Sequence, residues 1–460
     1  MQHPLARARQ LMESREDRMV SVNFDPKGPG VARIFLIPPK PGLGSRDSLL
    51  LINQWTVTVS PSWARLLRIF IEELNEKATV GMEIAPDTLV AIVKATAAKM
   101  AGFYPKTPRA TFEKDLDELV SIILAVARGQ DVPPTVFQGK TLEDYAQYLN
   151  APLRMDLMVS SMRNGGKRAC PLHCGACYAE DQPLMDVAPM DYSYWIQAIR
   201  ILGRIGVPEL TFTGGEPLTR EDIVKLVAYA QWHLTRLNTS GVLLTQELAL
   251  ALFKANLDAI QITLYSGQSG IHDGLVGKPG AWGLTVAGIG NALAANLLTS
   301  VNTPLLLANR DYAATLRFLA GLGIRYVSCS GLIPTGGATK QTANGAAMNQ
   351  EQMFQALAGA LAVARELGME LNFTSPGILT NQQLVELGMQ VPVCGACLEN
   401  MAISPRGMVV PCQSSLRKAD VLGDFLGDKW SRIWNSAKCK GTRKSSAGKN
   451  VCPLGERGAK

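Results

Sequence analysis

Strand-like and helix-like segments alternate from about residue 153 to residue 367, and this alternation limits the fold more than any other feature. Six short apolar segments, the first at 153–159 and the last at 325–329, are each followed by a segment of helical periodicity. Repeated β-α units build a parallel sheet through right-handed crossovers. The sequence therefore predicts an α/β core whose ligands bind at the carboxyl ends of the strands.

Three of the nine cysteines follow the first predicted strand. Cys170, Cys174 and Cys177 are separated by three and then two residues, and Tyr178 comes directly after them. A loop with this spacing brings three thiolates to one face. Three sulfurs do not complete a tetrahedral zinc site, but they can hold three irons of a [4Fe-4S] cluster and leave the fourth iron open to a small molecule.

This Cys-x3-Cys-x2-Cys motif followed by an aromatic residue resembles the signature of the radical S-adenosylmethionine (radical SAM) enzymes. The resemblance implies a partial (β/α)6 TIM barrel as the core. It also implies that the open iron binds S-adenosylmethionine, which one electron cleaves to methionine and a 5'-deoxyadenosyl radical. The alternative interpretation is a cysteine-rich loop or a zinc knuckle without this chemistry.

Further motifs of the family follow the next two predicted strands. Thr213-Gly214-Gly215-Glu216-Pro217 matches the Gly-Gly-Glu-Pro motif, which implies that Glu216 and the backbone of Gly214 and Gly215 hold the methionyl amine of the cofactor. Asn238 and Ser240 resemble the polar stretch that meets the ribose. The other residues predicted to bind the cofactor are Tyr178, Thr263 and Asn302.

Two residues are candidates for catalysis. Tyr265 shares the inward face of the fourth predicted strand with Gln261 and Thr263. Cys329 ends the last predicted strand, where a thiol can donate a hydrogen atom to a substrate radical, although a lone cysteine there is more often a small buried residue. His272 and Asp273 are expected to cap a loop rather than to act as a base, and Asn309 resembles an asparagine near the cofactor.

A second group of cysteines lies in the C-terminal part of the chain. Cys394 and Cys397 precede a predicted β-hairpin that turns at 405–407 and returns Cys412 to Cys397. The spacing resembles the SPASM domain of radical SAM maturases, or its shortened twitch form. It implies one auxiliary [4Fe-4S] cluster bound by Cys394, Cys397, Cys412 and Cys452, with Cys439 as an alternative fourth ligand. Zinc remains the alternative metal.

The first third of the chain is predicted to form a separate α+β domain. A mobile arm of about 25 residues precedes a hairpin of two strands, 32–38 and 49–59, and then three helices at 62–77, 86–100 and 111–128. This order resembles the winged-helix domains that bind the leaders of ribosomally made peptides; an accessory domain that shields the barrel is the alternative. The predicted domains are 1–150, 151–375 and 376–460.

Composition excludes several other classes of protein. The chain has 460 residues, a net charge of +7 and 47% apolar residues, without the unbroken apolar run of a membrane helix or a signal peptide. We therefore expect a cytoplasmic protein whose cysteines are metal ligands rather than disulfides. The C-terminal end is basic but has no aromatic residue from 438 to 460, so no nucleic-acid partner is expected.

Together these features predict a radical SAM maturase that abstracts hydrogen from a ribosomally made precursor peptide. The modification left open is a crosslink, an epimerisation or a backbone excision, as in spliceases. The expected partners are the precursor peptide, a separate leader-peptide-binding protein and an electron donor such as flavodoxin or ferredoxin. The alternatives are a radical SAM enzyme of small-molecule cofactor biosynthesis and a non-catalytic peptide- or metal-binding subunit.

Overall fold

The computed structural model describes residues 20–24, 32–37, 48–52, 55–77, 85–127, 149–446 and 448–454. These residues form two compact units. The first comprises Met1–Ala151 with Arg200–Pro208, and the second comprises Pro152–Ile199 with Glu209–Lys460. Most of the predicted N-terminal arm lies outside the described residues.

The first unit contains a four-stranded antiparallel sheet in the order β1-β2-β3-β4. Its strands are β1 (Val20–Phe24), β2 (Ala32–Ile37), β3 (Ser48–Ile52) and β4 (Trp55–Val59). The prediction of one hairpin was wrong, because β1 lies in the predicted arm and Ile52 pairs with Trp55 inside a stretch predicted as one strand. Only Asn53 and Gln54 separate the two strands in the sequence, too short an interruption to indicate a reversal.

Three helices complete the first unit: α1 (Pro61–Lys77), α2 (Pro86–Phe103) and α3 (Arg109–Ala127). Their apolar faces share one core, in which Phe70, Ile92 and Leu116 are almost fully buried. Glu73 on α1 forms an ion pair with Lys99 on α2 and is itself only 5% exposed. The α+β composition predicted for this region is thus present.

The second unit is built on a ten-stranded sheet in the order β13-β12-β11-β10-β9-β8-β5-β14-β15-β16. In this order, all neighbouring strands from β13 at one edge through β5 to β14 pair in parallel. The last two pairs, β14 with β15 and β15 with β16, are antiparallel. The strands are β5 (Arg154–Ser160), β8 (Glu209–Gly214), β9 (Leu234–Thr239), β10 (Ala259–Thr263), β11 (Leu298–Pro304), β12 (Tyr326–Ser330), β13 (Glu370–Phe373), β14 (Asn400–Ile403), β15 (Met408–Val410) and β16 (Gly423–Asp424). The six predicted parallel strands are present, and β13 and β14 extend the parallel part.

A separate two-stranded ribbon, β6 (Arg163–Asn164) and β7 (Lys167–Arg168), lies between β5 and the first cysteine loop. Helix α4 (Tyr192–Ile205) belongs to the second unit up to Ile199 and to the first unit from Arg200. The other helices of the second unit are α5 (Ile223–Tyr229), α6 (Gln246–Lys254), α7 (Ser269–Val276), α8 (Ala281–Ala294), α9 (Tyr312–Gly321), α10 (Gly337–Ala343), α11 (Gln350–Glu366), α12 (Asn381–Leu387), α13 (Trp430–Asn435) and α14 (Ala437–Ser446). The segment of α7 was predicted as a loop, since its two glycines oppose helix formation.

The two faces of the sheet differ in burial. In β9, Thr235, Leu237 and Thr239 are buried, whereas Arg236 and Asn238 between them are partly accessible. The same alternation occurs in β10 and β12. One face therefore packs against apolar surroundings, and the other is a partly accessible polar face, which we call the inner face.

Candidate active site

The first cysteine loop is fixed to its neighbours by backbone hydrogen bonds. It follows β5, as predicted, and the amide of His173 donates to the carbonyl of Val276 at 2.9 Å. The amide of Gly337 donates to the carbonyl of Cys177 at 2.8 Å. A Cβ atom on Gly337 would lie 2.5 Å from the carbonyl oxygen of Gly175, so only glycine fits there. Sequence reasoning missed this glycine, which lies far from the cysteines in the chain.

The three thiols lie close enough to influence one another. Burial raises the pKa of Cys170 to about 12 and that of Cys174 well above its usual range, and in each case the nearby charge of Cys177 adds to the effect. Three converging thiols of raised pKa need cationic compensation before they can all ionise, and iron supplies it. Nothing in the described residues encloses a single metal ion with three His, Cys, Asp or Glu side chains. The donor set fits the three-cysteine side of an iron-sulfur cluster.

The two glycines of the Gly-Gly-Glu-Pro motif lie where the end of β8 packs closely against the end of β5. Gly214 has a φ of 138°, and a Cβ atom on it would lie 2.3 Å from the carbonyl oxygen of Ser160. A Cβ atom on Gly215 would lie 2.2 Å from the carbonyl oxygen of Ser161. The two glycines therefore allow the close approach of β8 to the end of β5 within the chain.

Glu216 connects this motif to the end of β9. It is 1% exposed, and its Oε1 atom accepts hydrogen bonds from the hydroxyl of Thr239 at 2.6 Å and the amide of Leu218 at 3.1 Å. Its Oε2 atom accepts from both the hydroxyl and the amide of Ser240, at 2.6 and 2.9 Å. Ser240 thus contacts Glu216 directly, a contact that the sequence did not reveal. The carboxylate is held rigidly beside the cysteine loop, where its charge acts on Cys170.

The inner face carries the other residues predicted to bind the cofactor. Asn238 lies opposite Gln261 in the register of β9 and β10, and Thr263 lies opposite Asn302. The side chain of Asn302 accepts a hydrogen bond at 3.0 Å from the hydroxyl of Ser328, a residue missed from the sequence. These strands therefore place amide and hydroxyl groups together on one polar surface.

Cys329 does not belong to that surface. It alternates with Ser328 and Ser330, so it lies on the opposite face of β12, and it is fully buried. Burial raises the pKa of its thiol, and the charge of Cys329 in turn helps to raise the pKa of Tyr312 on α9. The strand register gives no support to a role as hydrogen-atom donor, because Cys329 faces a helix rather than the inner face.

Tyr265 is 5% exposed and packs in the same apolar cluster as the first cysteine loop. Its backbone is fixed from two sides: its amide donates to Nδ1 of His272 at 3.2 Å, and its carbonyl accepts from Nδ2 of Asn309 at 2.7 Å.

Burial lowers the pKa of His272 to about 4, so it is a neutral acceptor. Asp273 caps α8 by accepting from the amide of Trp282 at 2.7 Å. Both His272 and Asn309 have structural contacts.

We expect Asn309→Ala to lower the free energy of unfolding by about 2–3 kcal/mol, because three buried backbone groups lose their partner. Chemical denaturation measures this change. Asn349→Ala, which removes an exposed helix cap, is the control and should cost only about 1 kcal/mol. Equal losses in the two variants would contradict the structural role of Asn309.

The second cysteine group surrounds the beginning of β14. The predicted hairpin is present, since Ile403 pairs with Val409 and Gly407 has a φ of 83° at the turn. The amide of Cys397 donates to the carbonyl of Pro411 at 3.4 Å, which brings Cys412 back beside it, as predicted. The charges of Cys394 and Cys452 both contribute to the raised pKa of Cys412, so these two cysteines lie near it.

Cys439 lies on the other side of this group. It is fully buried, and Cys397 and Cys439 lie close enough for their thiols to form a hydrogen bond. Nη2 of Arg443 lies 3.5 Å from Sγ of Cys439, and the guanidinium stacks on the ring of Trp434. The five cysteines therefore converge, one more than a [4Fe-4S] cluster requires.

Tyr178 extends from the first cysteine loop toward the second cysteine group. Its hydroxyl donates to Oε1 of Gln413 at 3.4 Å. Burial raises the pKa of this hydroxyl, and the charges of Cys177 and Cys412 both add to the shift. The ring thus lies between the two groups of cysteines, a position that the sequence did not indicate.

Comparison with known proteins supports both sites. Residues 167–319 match the radical SAM superfamily, and residues 394–454 match SPASM, an iron-sulfur cluster-binding domain. The "PqqA peptide cyclase" of Methylocella silvestris is 26% identical over 283 residues, which cover 58% of this chain and 71% of that protein. The "AdoMet-dependent heme synthase" of Methanosarcina barkeri is 28% identical over 168 residues, 36% of this chain and 47% of that protein.

Among solved structures, Streptococcus suis SuiB bound to S-adenosylmethionine superposes with a TM-score of 0.56 at 15% identity, covering 89% of this chain and 90% of that one. SuiB bound to its precursor peptide SuiA gives a TM-score of 0.54 at 14% identity, covering 86% and 87%. These likenesses concern the fold. The two domain matches confirm the radical SAM core and the SPASM domain, and with them [4Fe-4S] clusters and S-adenosylmethionine as cofactors.

None of the described helices is both long and apolar enough to cross a membrane.

Proposed function

We propose that this chain, which carries a radical SAM domain and a SPASM domain, is a peptide maturase that removes hydrogen from a ribosomally made precursor peptide. The observation that supports it most is the position of Tyr178 between two convergent cysteine groups beside one polar inner face. Two relatives named PqqA peptide cyclase each match 58% of the chain and a third matches 24%, whereas the heme synthase matches 36%. A peptide is therefore favoured over a small-molecule substrate.

Each part of the site has a separate task in this proposal. Cys170, Cys174 and Cys177 would hold the cluster that, when bound, supplies the electron for cleavage of S-adenosylmethionine. Glu216 offers a rigid carboxylate to the methionyl ammonium, and the inner-face amides of Asn238 and Asn302 offer hydrogen bonds to the nucleoside. The buried ring of Tyr265 and the partly buried ring of Tyr178 help to exclude water around the loop, which protects a reactive intermediate.

We further assign one auxiliary cluster to the second cysteine group, held by Cys394, Cys397, Cys412 and Cys452. The first unit is proposed to recognise the peptide leader, alone or with a separate leader-binding protein. An electron donor such as flavodoxin or ferredoxin and a cytoplasmic location complete the proposal.

Anaerobic reconstitution with iron and sulfide, followed by dithionite and S-adenosylmethionine, tests the proposal. We expect 5'-deoxyadenosine, and a mass change in a short precursor peptide if one is encoded beside the gene for this protein. Deoxyadenosine without any change in that peptide would favour the small-molecule alternative. No cleavage by a well-reconstituted sample would favour a non-catalytic binding subunit.

The choice of fourth auxiliary ligand gives a separate prediction. Because Cys452 is grouped with Cys394 and Cys412, we expect Cys452→Ala to lose about four irons per chain, whereas Cys439→Ala keeps them. Iron analysis and Mössbauer spectroscopy of both variants measure this. The reverse pattern would make Cys439 the ligand.

A further inference from the structure

Five polar atoms on the inner face are buried without a hydrogen-bond partner among the described residues. Two of them, Nε of Arg236 and Oε1 of Glu209, form an ion pair at 3.4 Å. The other three are Oδ2 of Asp156, Oγ1 of Thr211 and Oδ1 of Asn238, on the neighbouring strands β5, β8 and β9. Asp156 and Thr211 are each 2% exposed and lie opposite one another in the strand register. Buried polar groups in proteins are nearly always hydrogen-bonded. The Thr211 hydroxyl is near enough to Asp156 to oppose the rise in its pKa, but by distance neither atom has a full hydrogen bond, and Oδ1 of Asn238 has none. Such a group of atoms on one surface indicates a position for a ligand.

The charges around Asp156 do not balance. Its Oδ1 atom accepts a hydrogen bond from Nε of Arg154 at 3.1 Å, and Nε of Arg236 lies 3.4 Å from Oε1 of Glu209. Glu399 is the third carboxyl group that acts on Arg154. Three carboxyl groups thus face two guanidinium groups, which leaves one excess negative charge when all are ionised. Burial raises the pKa of Asp156, as expected for a carboxylate that lacks full compensation.

This position lies between the two cysteine groups. The first cysteine loop follows the carboxyl end of β5, whereas Cys397 precedes β14 and Cys412 follows the hairpin at the same end. Asp156 lies between these ends, opposite Ala402 of β14. Its charge affects the pKa values of both Tyr178 and Cys412. A group bound at Asp156 would therefore approach the reactive centre from the side of the second cysteine group.

We propose that Asp156, Thr211 and Asn238 form a subsite for a cationic group of the substrate, an ammonium or guanidinium. Asp156 supplies the compensating charge, and the hydroxyl of Thr211 and the amide oxygen of Asn238 accept the remaining N–H groups. Asn238 follows Arg236 by two residues toward the carboxyl end of β9, so it connects this subsite to the predicted cofactor position. The inference rests on the proposed function and narrows it to peptides that present Lys or Arg to the barrel.

Binding of two model peptides to the reconstituted protein tests this subsite. The probes are N-acetyl-Gly-Lys-Gly-amide and the same peptide with norleucine, which keeps the alkyl stem but lacks the charge. Line broadening of the side-chain proton resonances by the anaerobic holoprotein, with S-adenosylmethionine present, reports binding. We expect wild type to bind the lysine peptide at least about tenfold more tightly than the norleucine peptide, because a hydrogen bond to a charged group is among the stronger ones.

Asp156→Asn should abolish that preference while iron content, circular dichroism and affinity for S-adenosylmethionine stay unchanged. The matched control is Glu209→Gln, which removes a carboxylate from the same charge network but leaves Asp156, the direct acceptor, in place and should lower the preference only in part. If Asp156→Asn does not fold, Thr211→Val, which preserves shape, should weaken the preference about threefold.

Equal affinity of wild type for the two peptides, or no binding of either, would overturn the subsite. The subsite would also be overturned if the lysine preference survived in Asp156→Asn, or if Glu209→Gln abolished it as completely as Asp156→Asn does. These results are independent of catalysis. Deoxyadenosine formation without a lysine preference would remove the subsite alone, whereas a lysine preference without cofactor cleavage would remove the proposed function alone.

Discussion

Cys174→Ala is expected to reduce 5'-deoxyadenosine formation to background and to lower the iron content of the reconstituted chain from about eight to about four per chain. Cys174 lies in the middle of the loop, and its pKa is raised by burial and by both neighbouring cysteines. Two remaining thiols cannot hold three corners of a cluster. Iron analysis and chromatographic detection of deoxyadenosine measure the two effects.

Cys329→Ala is the matched control for this loss. Its thiol faces Tyr312 on the far side of β12, so the variant should keep both the iron and the cofactor cleavage. If Cys329→Ala instead lost peptide modification while it kept deoxyadenosine formation, the hydrogen-atom donor predicted from the sequence would regain support.

Glu216→Gln is expected to weaken S-adenosylmethionine binding about 100-fold without loss of iron. The carboxylate accepts four hydrogen bonds, two at each oxygen, so an amide nitrogen there would face donors on either side. A buried donor left unsatisfied costs about 1–3 kcal/mol, and the lost charge removes a further attraction for the methionyl ammonium. Equilibrium binding to the reconstituted protein measures the change.

Glu221→Gln serves as the control, since Glu221 follows the same motif but is exposed. It should bind S-adenosylmethionine like wild type. A tight-binding Glu216→Gln variant with normal iron content would show that Glu216 organises the ends of β8 and β9 without touching the cofactor.

Local spacing allowed much of the site to be predicted. The Cys170–Cys177 loop, the Gly-Gly-Glu-Pro motif and the Cys394–Cys412 hairpin each act through residues a few positions apart, so the sequence displays them directly. The alternation of strands and helices likewise predicted the parallel core. Boundaries were less accurate where patterns were ambiguous, as at α7 and in the four-stranded sheet of the first unit.

Long-range contacts decided the rest. Thr239 and Ser240 contact Glu216 across 23 and 24 residues, and Gln413 meets Tyr178 across 235 residues. Gly337 packs against the cysteine loop although more than a hundred residues separate them in the chain.

The sequence by itself determined the chemistry of this protein, because cluster ligands need thiols at short fixed spacings that survive in the linear order. Only the tertiary structure decided which way each strand residue points. A shift of one position moves a side chain to the opposite face, as the neighbours Ser328 and Cys329 illustrate. The tertiary structure also decided which carboxyl groups have too few cationic neighbours to balance their negative charge. Arg154, Asp156, Glu209 and Arg236 come together only when β5, β8 and β9 pair.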